Sequence, residues 1–354
     1  MPLQVRQIPL PGLAELGATW RGLEAQAAPS FFRSWTWIGC RFEERYPDPV
    51  LLRAERDGRL IGLALYNRRG GGLHLAESGD PELDRPFVEH NGPLATDLEA
   101  AAALLRAAWQ VSGARRLVLG GVSWPLVAAA GGATLRVQPR LAPFLDLDAL
   151  RAAGGDYLAG RSANARYQIR RSNRLYEASG PLALARAETR AVREAWLEEL
   201  VALHDASWQR RGQPGAFATP YLLRFHRCLM ARAMERGELD LLRITAGPRL
   251  IGLLYNVRSG RRVHAYQTGL ADTADEPHAR PGLTCHCLAI GMALDRGDAA
   301  YDLLAGDQRY KLSLADREAQ LWWVELAPAG SMAALIGRLR ALAGQLRRRW
   351  RQPL

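Results

Sequence analysis

The stretch RLIGLALYN, Arg59 to Asn67, returns as RLIGLLYN, Arg249 to Asn256, an offset of 190 at the shared RLIG. Its surroundings return with it. DPVLLRAERDGRLIGLALYNRRGGGLHLAES parallels ELDLLRITAGPRLIGLLYNVRSGRRVHAYQTG, and each is three apolar, β-prone runs separated by Gly-bearing turns. Two unrelated hairpins could share a short apolar motif. The matching turns on either side favour a duplication and predict two antiparallel meanders.

The order after each meander repeats as well: a loop, a helix, a strand. The first half has SGDPELDRPFVEHNGPL, then TDLEAAAALLRAAWQVSG with Ala and Leu at helical spacing, then ARRLVLGGV. The second half has ADTADEPHARPG, LTCHCLAIGMALDRG and AAYDLLAG. Helices precede each meander: WRGLEAQAA and SWTWIGCRFEERY, then VREAWLEELVALHDASWQRR and TPYLLRFHRCLMARAMERG. The fold class expected is α/β (α+β): two tandem domains, each a mixed, mainly antiparallel sheet flanked by helices, with a late helix crossing back to a further strand. The boundary is expected in LDLDALRAAGGDY, giving domains 1–150 and 151–354.

The composition is that of a soluble chain: 354 residues, 48% hydrophobic and 23% charged. No apolar run has the length of a membrane span, and MPLQVRQIPLPGL lacks the regions of a signal peptide, so a cytoplasmic location is expected. Cys40, Cys228, Cys285 and Cys287 suggest no disulfide framework. The net charge of +11 suits anionic partners, and nucleic acid, acidic membrane and phosphorylated cofactors all qualify. Much of the excess sits in RSANARYQIRRSNR (161–174) and RLRALAGQLRRRWRQ (338–352). Both are helix-compatible, and solvated helix faces would read the same way. The sequence does not specify the oligomeric state.

A helix pair, a three-strand meander, a crossover helix and a following strand is the order of the GNAT N-acyltransferase fold. FFRSWTWIGC, NARYQIRRSNRLYEASG, HDASWQRRGQPGAF, the run from YQTG to RPGLTCHCLAIGMALDRG, and YDLLAGDQRYK occur in the order seen in one group of it. On these segments the chain resembles the tandem-GNAT group of CelD-like acetyltransferases and, more distantly, Fem-type aminoacyl transferases. The resemblance implies acetyl-CoA or another acyl-CoA as donor, with its pyrophosphate at the start of the crossover helix, where free amides and the helix dipole favour anions. Arg280, Gly282, Leu283 and Thr284 match that segment. The glycine-rich fingerprint of small acetyltransferases is absent from it. The first half ends its corresponding loop in Asn91-Gly92-Pro93-Leu94 without an arginine, so the second half is expected to bind the donor and the first to be scaffold or acceptor side.

Acyl transfer to an amine needs a neutral amine, a polarised carbonyl and a proton for the leaving group. Tyr266 and Gln267 lie on the run where the resemblance places the donor carbonyl. Tyr310 could protonate a departing thiolate, and Asp307 could take a proton from the amine. Lys311 is the single lysine among 47 basic residues. A compact ammonium reaches where a planar guanidinium does not fit, so Lys311 is expected at an oxyanion, a phosphate or a developing tetrahedral intermediate, with a salt bridge to Asp302 or Asp307 as the alternative. The acceptor side is expected to involve His204 and Trp208, ahead of the QPGAFATP loop. Arg166 and Arg170, which make one basic stripe with Arg174, are expected to meet the CoA ribose phosphate, an anionic acceptor or tRNA, or to be a surface face. Cys285, His286 and Cys287 adjoin one another on a helix and diverge, so no metal is expected there, and Cys285 lacks a partner that would make it a nucleophile.

Two functions compete with an acyl-CoA-dependent enzyme acting on a sugar, amino acid or peptide-like amine. One is aminoacyl transfer from charged tRNA; the other is anion or RNA binding without catalysis. The last helix, with Leu339, Leu342 and Leu346, is expected to pack back on the first domain or to lie on a membrane surface.

Overall fold

The computed structural model describes residues 3–335, so the expectation for the helix at 338–352 lies outside the described residues. The first half runs β1 (Gln4–Ile8), α1 (Leu13–Ala27), α2 (Trp35–Arg45), β2 (Pro49–Arg56), β3 (Arg59–Arg69), β4 (Gly72–Leu75), β5 (Leu94–Ala95), α3 (Leu98–Ala107), β6 (Arg116–Val122), α4 (Trp124–Ala130) and β7 (Ala133–Asp146). After α5 (Leu147–Ala152) and α6 (Ala163–Glu177), the second half repeats that order. It has β8 (Leu182–Arg186), α7 (Arg190–Gln209), α8 (Pro220–Glu235), β9 (Leu239–Ala246), β10 (Arg249–Ser259), β11 (Arg262–Leu270), α9 (Pro281–Asp295), β12 (Ala300–Asp302), α10 (Arg309–Leu314) and β13 (Arg317–Ala327).

Local chemistry sets these limits. Ser34, Asp97, Ser162, Thr189 and Thr219 each accept a backbone N–H of the helix they precede. Pro220 and Pro281 begin α8 and α9, where a missing N–H costs nothing. Asp57-Gly58 and Gly70-Gly71 all have positive φ and turn β2 into β3 and β3 into β4.

The chain divides into two compact units, Met1–Arg140 with the chain from Gln320, and Leu141–Ala319. This differs from a single boundary near 150. β7 runs unbroken through that division, and β13, which ends the second half, pairs with β6, Trp322 facing Val122 and Leu326 facing Leu117. The tail of β7 pairs with β12, Phe144 facing Asp302. The duplicated halves have therefore exchanged their last strands, which local patterning does not reveal.

Within each unit the meander is antiparallel and the strand after the crossover helix is parallel to the third meander strand. In the first unit Gly72, Leu73 and His74 face Arg116, Leu117 and Val118. In the second Arg262, Val263 and His264 face Ala300, Tyr301 and Asp302. Leu104 and Leu105 of α3 share a buried core with Leu52, Tyr66 and Leu119, and Cys285, Ala289 and Ile290 of α9 share another with Leu242, Leu254 and Tyr301.

Candidate active site

Beyond those registered positions the parallel strands part, and the two units treat the gap differently. In the first, the Asn91 amide donates to Leu75 O at 3.1 Å on β4 and to Gly120 O at 3.0 Å on β6, while its own N–H donates to Gly121 O. Gly121 has φ 65°, and a Cβ there would come within 2.3 Å of Val88 O, so the segment leading to Asn91 lies directly against β6. The gap is closed by the protein's own chain.

In the second unit the corresponding segment, 271–280, is shorter and its polar groups go elsewhere. Ala271 N–H donates to Ile251 O, Glu276 pairs with Arg249, and Arg280 N–H donates to Ser172 Oγ. β11 runs on to Leu270 while β12 ends at Asp302. Past that point Leu303 and Gly306 donate to Pro143 O and Leu141 O on the side away from β11. On β11, Tyr266 is the extra residue of a bulge: Tyr255 faces Gln267 and Asn256 faces Ala265. The bulge turns the Tyr266 ring onto His226, 5.7 Å away, and Tyr255, 5.3 Å away. Gln267 is half-buried beside it.

The turn after β12 is held from both ends. Asp302, fully buried, accepts the Leu304 N–H at 2.8 Å and the Arg262 guanidinium at 2.7 Å. Leu304 is in the left-handed region at φ 61°, and Lys311 Nζ donates to the carbonyls of Leu304 and Ala305 at 3.2 and 2.9 Å. Lys311 thus works first on backbone carbonyls of the strand end. A compact ammonium with three donors fits two adjacent carbonyls where a flat guanidinium would need a wider fork. Asp307, in the same loop, is exposed.

Tyr310 stacks on His286 at 6.0 Å, and His286 Nδ1 lies 2.9 Å from Tyr301 Oη, which accepts from the Asn256 amide at 3.2 Å. Either group can donate in the Nδ1–Oη hydrogen bond, according to the His286 tautomer. Burial, helped by the nearby Lys311 ammonium, pushes the His286 pKa down to about 4, so the ring is neutral at physiological pH. Burial also raises the Tyr310 phenol, opposed by Arg211.

The remaining predicted residues separate. α9 begins with Pro281, which has no N–H, so Gly282 and Leu283 offer the donors ahead of the first ladder bond, Thr284 N–H to Arg280 O. The Arg280 guanidinium turns back onto the carbonyls of Pro277 and Ala279. Leu283 is in the core, and Thr284 is buried against α6 on Ser172 and Asn173. His204 Nε2 accepts the Ala216 N–H at 3.0 Å and Nδ1 donates to Thr268 O at 2.9 Å, so both nitrogens tie the 212–218 loop and α7 to β11. Burial lowers its pKa and keeps it neutral. Trp208 packs beside His204 and under Arg211. Arg166 donates to the carbonyls of Arg161 and Ala159, whereas Arg170 is exposed. Cys285 is buried in the core and its thiol pKa is raised; Cys287 is pushed up to about 12, also by burial. Neither is poised as a nucleophile.

The sequence does not single out His226 or Glu77, shows Asn91 only as the end of a loop without an arginine, and His286 only beside two cysteines. The longer 76–97 segment was the one visible signal for Asn91.

Residues 163–312 match the family described as acetyltransferase (GNAT) domain. No curated protein matches the sequence significantly. Among solved structures, FemX superposes with a TM-score of 0.61 at 10% identity, covering 94% of this chain and 100% of its own. The C-terminal domain of a proposed lysylphosphatidylglycerol synthetase from Agrobacterium fabrum gives 0.55 at 13% identity, covering 92% and 95%. L-PGS from Bacillus licheniformis gives 0.51 at 12% identity, covering 91% and 96%. At these identities the likeness is one of fold, and it agrees with the duplicated order of elements and the parting parallel strands. Residues 163–312 thus carry an acetyltransferase (GNAT) domain, and the chain as a whole has the fold seen in FemX, with GNAT-like order repeated in its two halves.

Proposed function

We propose that the protein is an N-acyltransferase that takes an acyl group, most simply acetyl, from acyl-CoA bound in the second unit and places it on an amine of a sugar, amino acid or peptide-like metabolite. The observation that carries this reading is the difference between the two gaps: Asn91 closes the first, and segment 271–280 does not close the second. A pantetheine arm lies in the second gap, with the pyrophosphate at the Gly282 and Leu283 amides and Arg280 swinging from its own loop to meet it. The thioester carbonyl sits at the Tyr266 bulge, beside Gln267.

The amine nitrogen attacks the carbonyl carbon, the N–C bond forms and the C–S bond breaks. Tyr310, whose raised pKa keeps it protonated at neutral pH, gives its proton to the departing thiolate, and the proton lost by the amine passes to Asp307 or to water. Lys311 and Asp302 hold the strand end that borders the gap, and His204 and Trp208 hold the loop on the acceptor side.

Calorimetric titration with acetyl-CoA and CoA tests the reading. Micromolar binding that Gly282→Pro abolishes and Asn91→Ala leaves intact is the expected result; no binding of any acyl-CoA overturns it. The exposed arginines of α6 favour one second reading, a charged tRNA as donor, and transfer from aminoacyl-tRNA in place of acyl-CoA would establish it.

A further inference from the structure

Along the outer face of α6 runs an open groove of about 640 Å³ lined by Arg166, Tyr167, Arg170, Asn173, Arg174 and Glu177. Every lining residue belongs to this one helix, so the groove is an open face and not an enclosed cavity. Its charge is not spent internally. Elsewhere in this unit arginines meet carboxylates: Arg243 with Glu199, Arg258 with Asp298, Arg262 with Asp302, Arg296 with Asp240. Arg170 and Arg174 form no ion pair with a described residue, and Arg174 donates only weakly to the Arg170 carbonyl, at 3.4 Å. Tyr167, one turn before Arg170 on the same helix, also lines this face, 55% exposed, with Arg171 set 5.9 Å from its ring centroid. An exposed tyrosine flanked by uncompensated guanidinia is suited to a base on its ring and a phosphate on its neighbours.

The groove is also fixed to the start of α9. Arg280 N–H donates to Ser172 Oγ at 3.0 Å, Ser172 Oγ–H donates to Thr284 Oγ1 at 2.9 Å, and Thr284 Oγ1–H donates to Asn173 Oδ1 at 2.9 Å. Asn173 lines the groove, so three hydrogen bonds lock its wall to the helix end where the donor reading puts a pyrophosphate. From Asn173 back to Ala163 the helix climbs about 15 Å, enough for a nucleoside with a further phosphate.

We infer that this face of α6 holds the 3′-phosphoadenosine end of coenzyme A, with adenine stacked on Tyr167 and the ribose 3′-phosphate between Arg170 and Arg174. The inference rests on the acyl-CoA reading for its ligand and assigns α6, which precedes the duplicated fold, the part of the donor farthest from the reacting carbonyl.

The test uses the full chain and three probes: CoA, dephospho-CoA, which lacks only the 3′-phosphate, and adenosine 3′,5′-bisphosphate. CoA is expected to bind roughly tenfold tighter than dephospho-CoA. The double variant Arg170→Ala with Arg174→Ala removes that preference and leaves dephospho-CoA affinity within about twofold. Tyr167→Ala weakens all three probes, while Tyr167→Phe does not. Equal affinity for CoA and dephospho-CoA in the wild type, or a preference that survives the double variant, overturns the inference and leaves the donor reading standing. Binding of the bisphosphate, lost in the double variant, without binding of acetyl-CoA keeps the groove and sinks the donor reading. Tight binding of an RNA oligonucleotide that the double variant weakens, with none of the three probes bound, overturns both.

Discussion

Lys311 Nζ lies 3.2 Å from the carbonyl oxygen of Leu304, a residue at φ 61° whose N–H is already taken by Asp302. One lysine and one aspartate thus hold the two ends of a strained peptide at the point where β12 leaves β11. A left-handed leucine is costly, and it persists only where its surroundings over-determine it. Lys311→Met removes a charged donor from two carbonyls and is expected to cost about 2 kcal/mol of stability and about tenfold in donor affinity. Lys311→Arg recovers part of the stability and little of the affinity, because the wider guanidinium displaces the turn. Chemical denaturation alongside donor titration checks this. A Lys311→Met protein of wild-type stability and donor affinity that has lost only kcat would show that the ammonium serves the reaction itself.

Asn91 joins two strands that would otherwise part, so its removal is felt in the first unit alone. Asn91→Ala leaves Leu75 O and Gly120 O without their amide donor and is expected to destabilise the protein by about 2 kcal/mol in urea titration. Acyl-CoA affinity stays at the wild-type value. A rise in bound acyl-CoA from one equivalent to two would mean that the first gap takes a donor once unplugged.

The duplicated meanders were legible because their signals are local: the alternating apolar runs, the Gly-bearing turns and the RLIG repeat all act within about ten residues. The exchange of β7 and β13 was not, since β13 carries the same apolar pattern whichever sheet it joins. The same limit applied at the site. The sequence singled out Lys311 by its rarity and placed it beside Asp302, but its acceptors are backbone carbonyls, which no side-chain motif records. His204 read as a substrate ligand because its type suggested chemistry, whereas both nitrogens serve backbone groups of distant segments. His286 stood out only for its cysteine neighbours, in a group set aside as a metal site, whereas its partner, Tyr301, lies on the next strand.

His286 leaves a signature in acid. Its folded pKa of about 4 lies below the ordinary value of 6.5, so between those limits the unfolded chain binds the proton and the folded chain does not. Stability contributed by the neutral ring is present above pH 6.5 and is lost as pH falls through 4, by up to about 3 kcal/mol. Replacing His286 by Phe together with Tyr301→Phe, which leaves no hydroxyl without an acceptor, is expected to flatten this part of the stability curve. An unchanged acid slope in that double variant would show that the ring is protonated at little cost.

Glu77 predicts the opposite slope. It follows β4, and its carboxylate fills space that Gly120 leaves open: a Cβ on Gly120 would come within 2.5 Å of Glu77 Oε2. Burial and the neighbouring Asp84 carboxylate push its pKa up to about 7, against the pull of the Arg41 guanidinium on α2. The folded state therefore keeps a proton that the unfolded chain has lost above pH 4.5. The resulting stability is fully present below that pH and disappears as pH rises through 7. Glu77→Gln keeps the shape and removes the titration. Relative to wild type it is expected to be near neutral at pH 5 and to gain roughly 1–2 kcal/mol at pH 8, the partial exposure of the side chain trimming the full effect. Thermal unfolding of both proteins across that range measures the difference. A gain that does not grow with pH would mean that Glu77 ionises in the folded protein at an ordinary carboxylate pKa, with solvent reaching the space above Gly120.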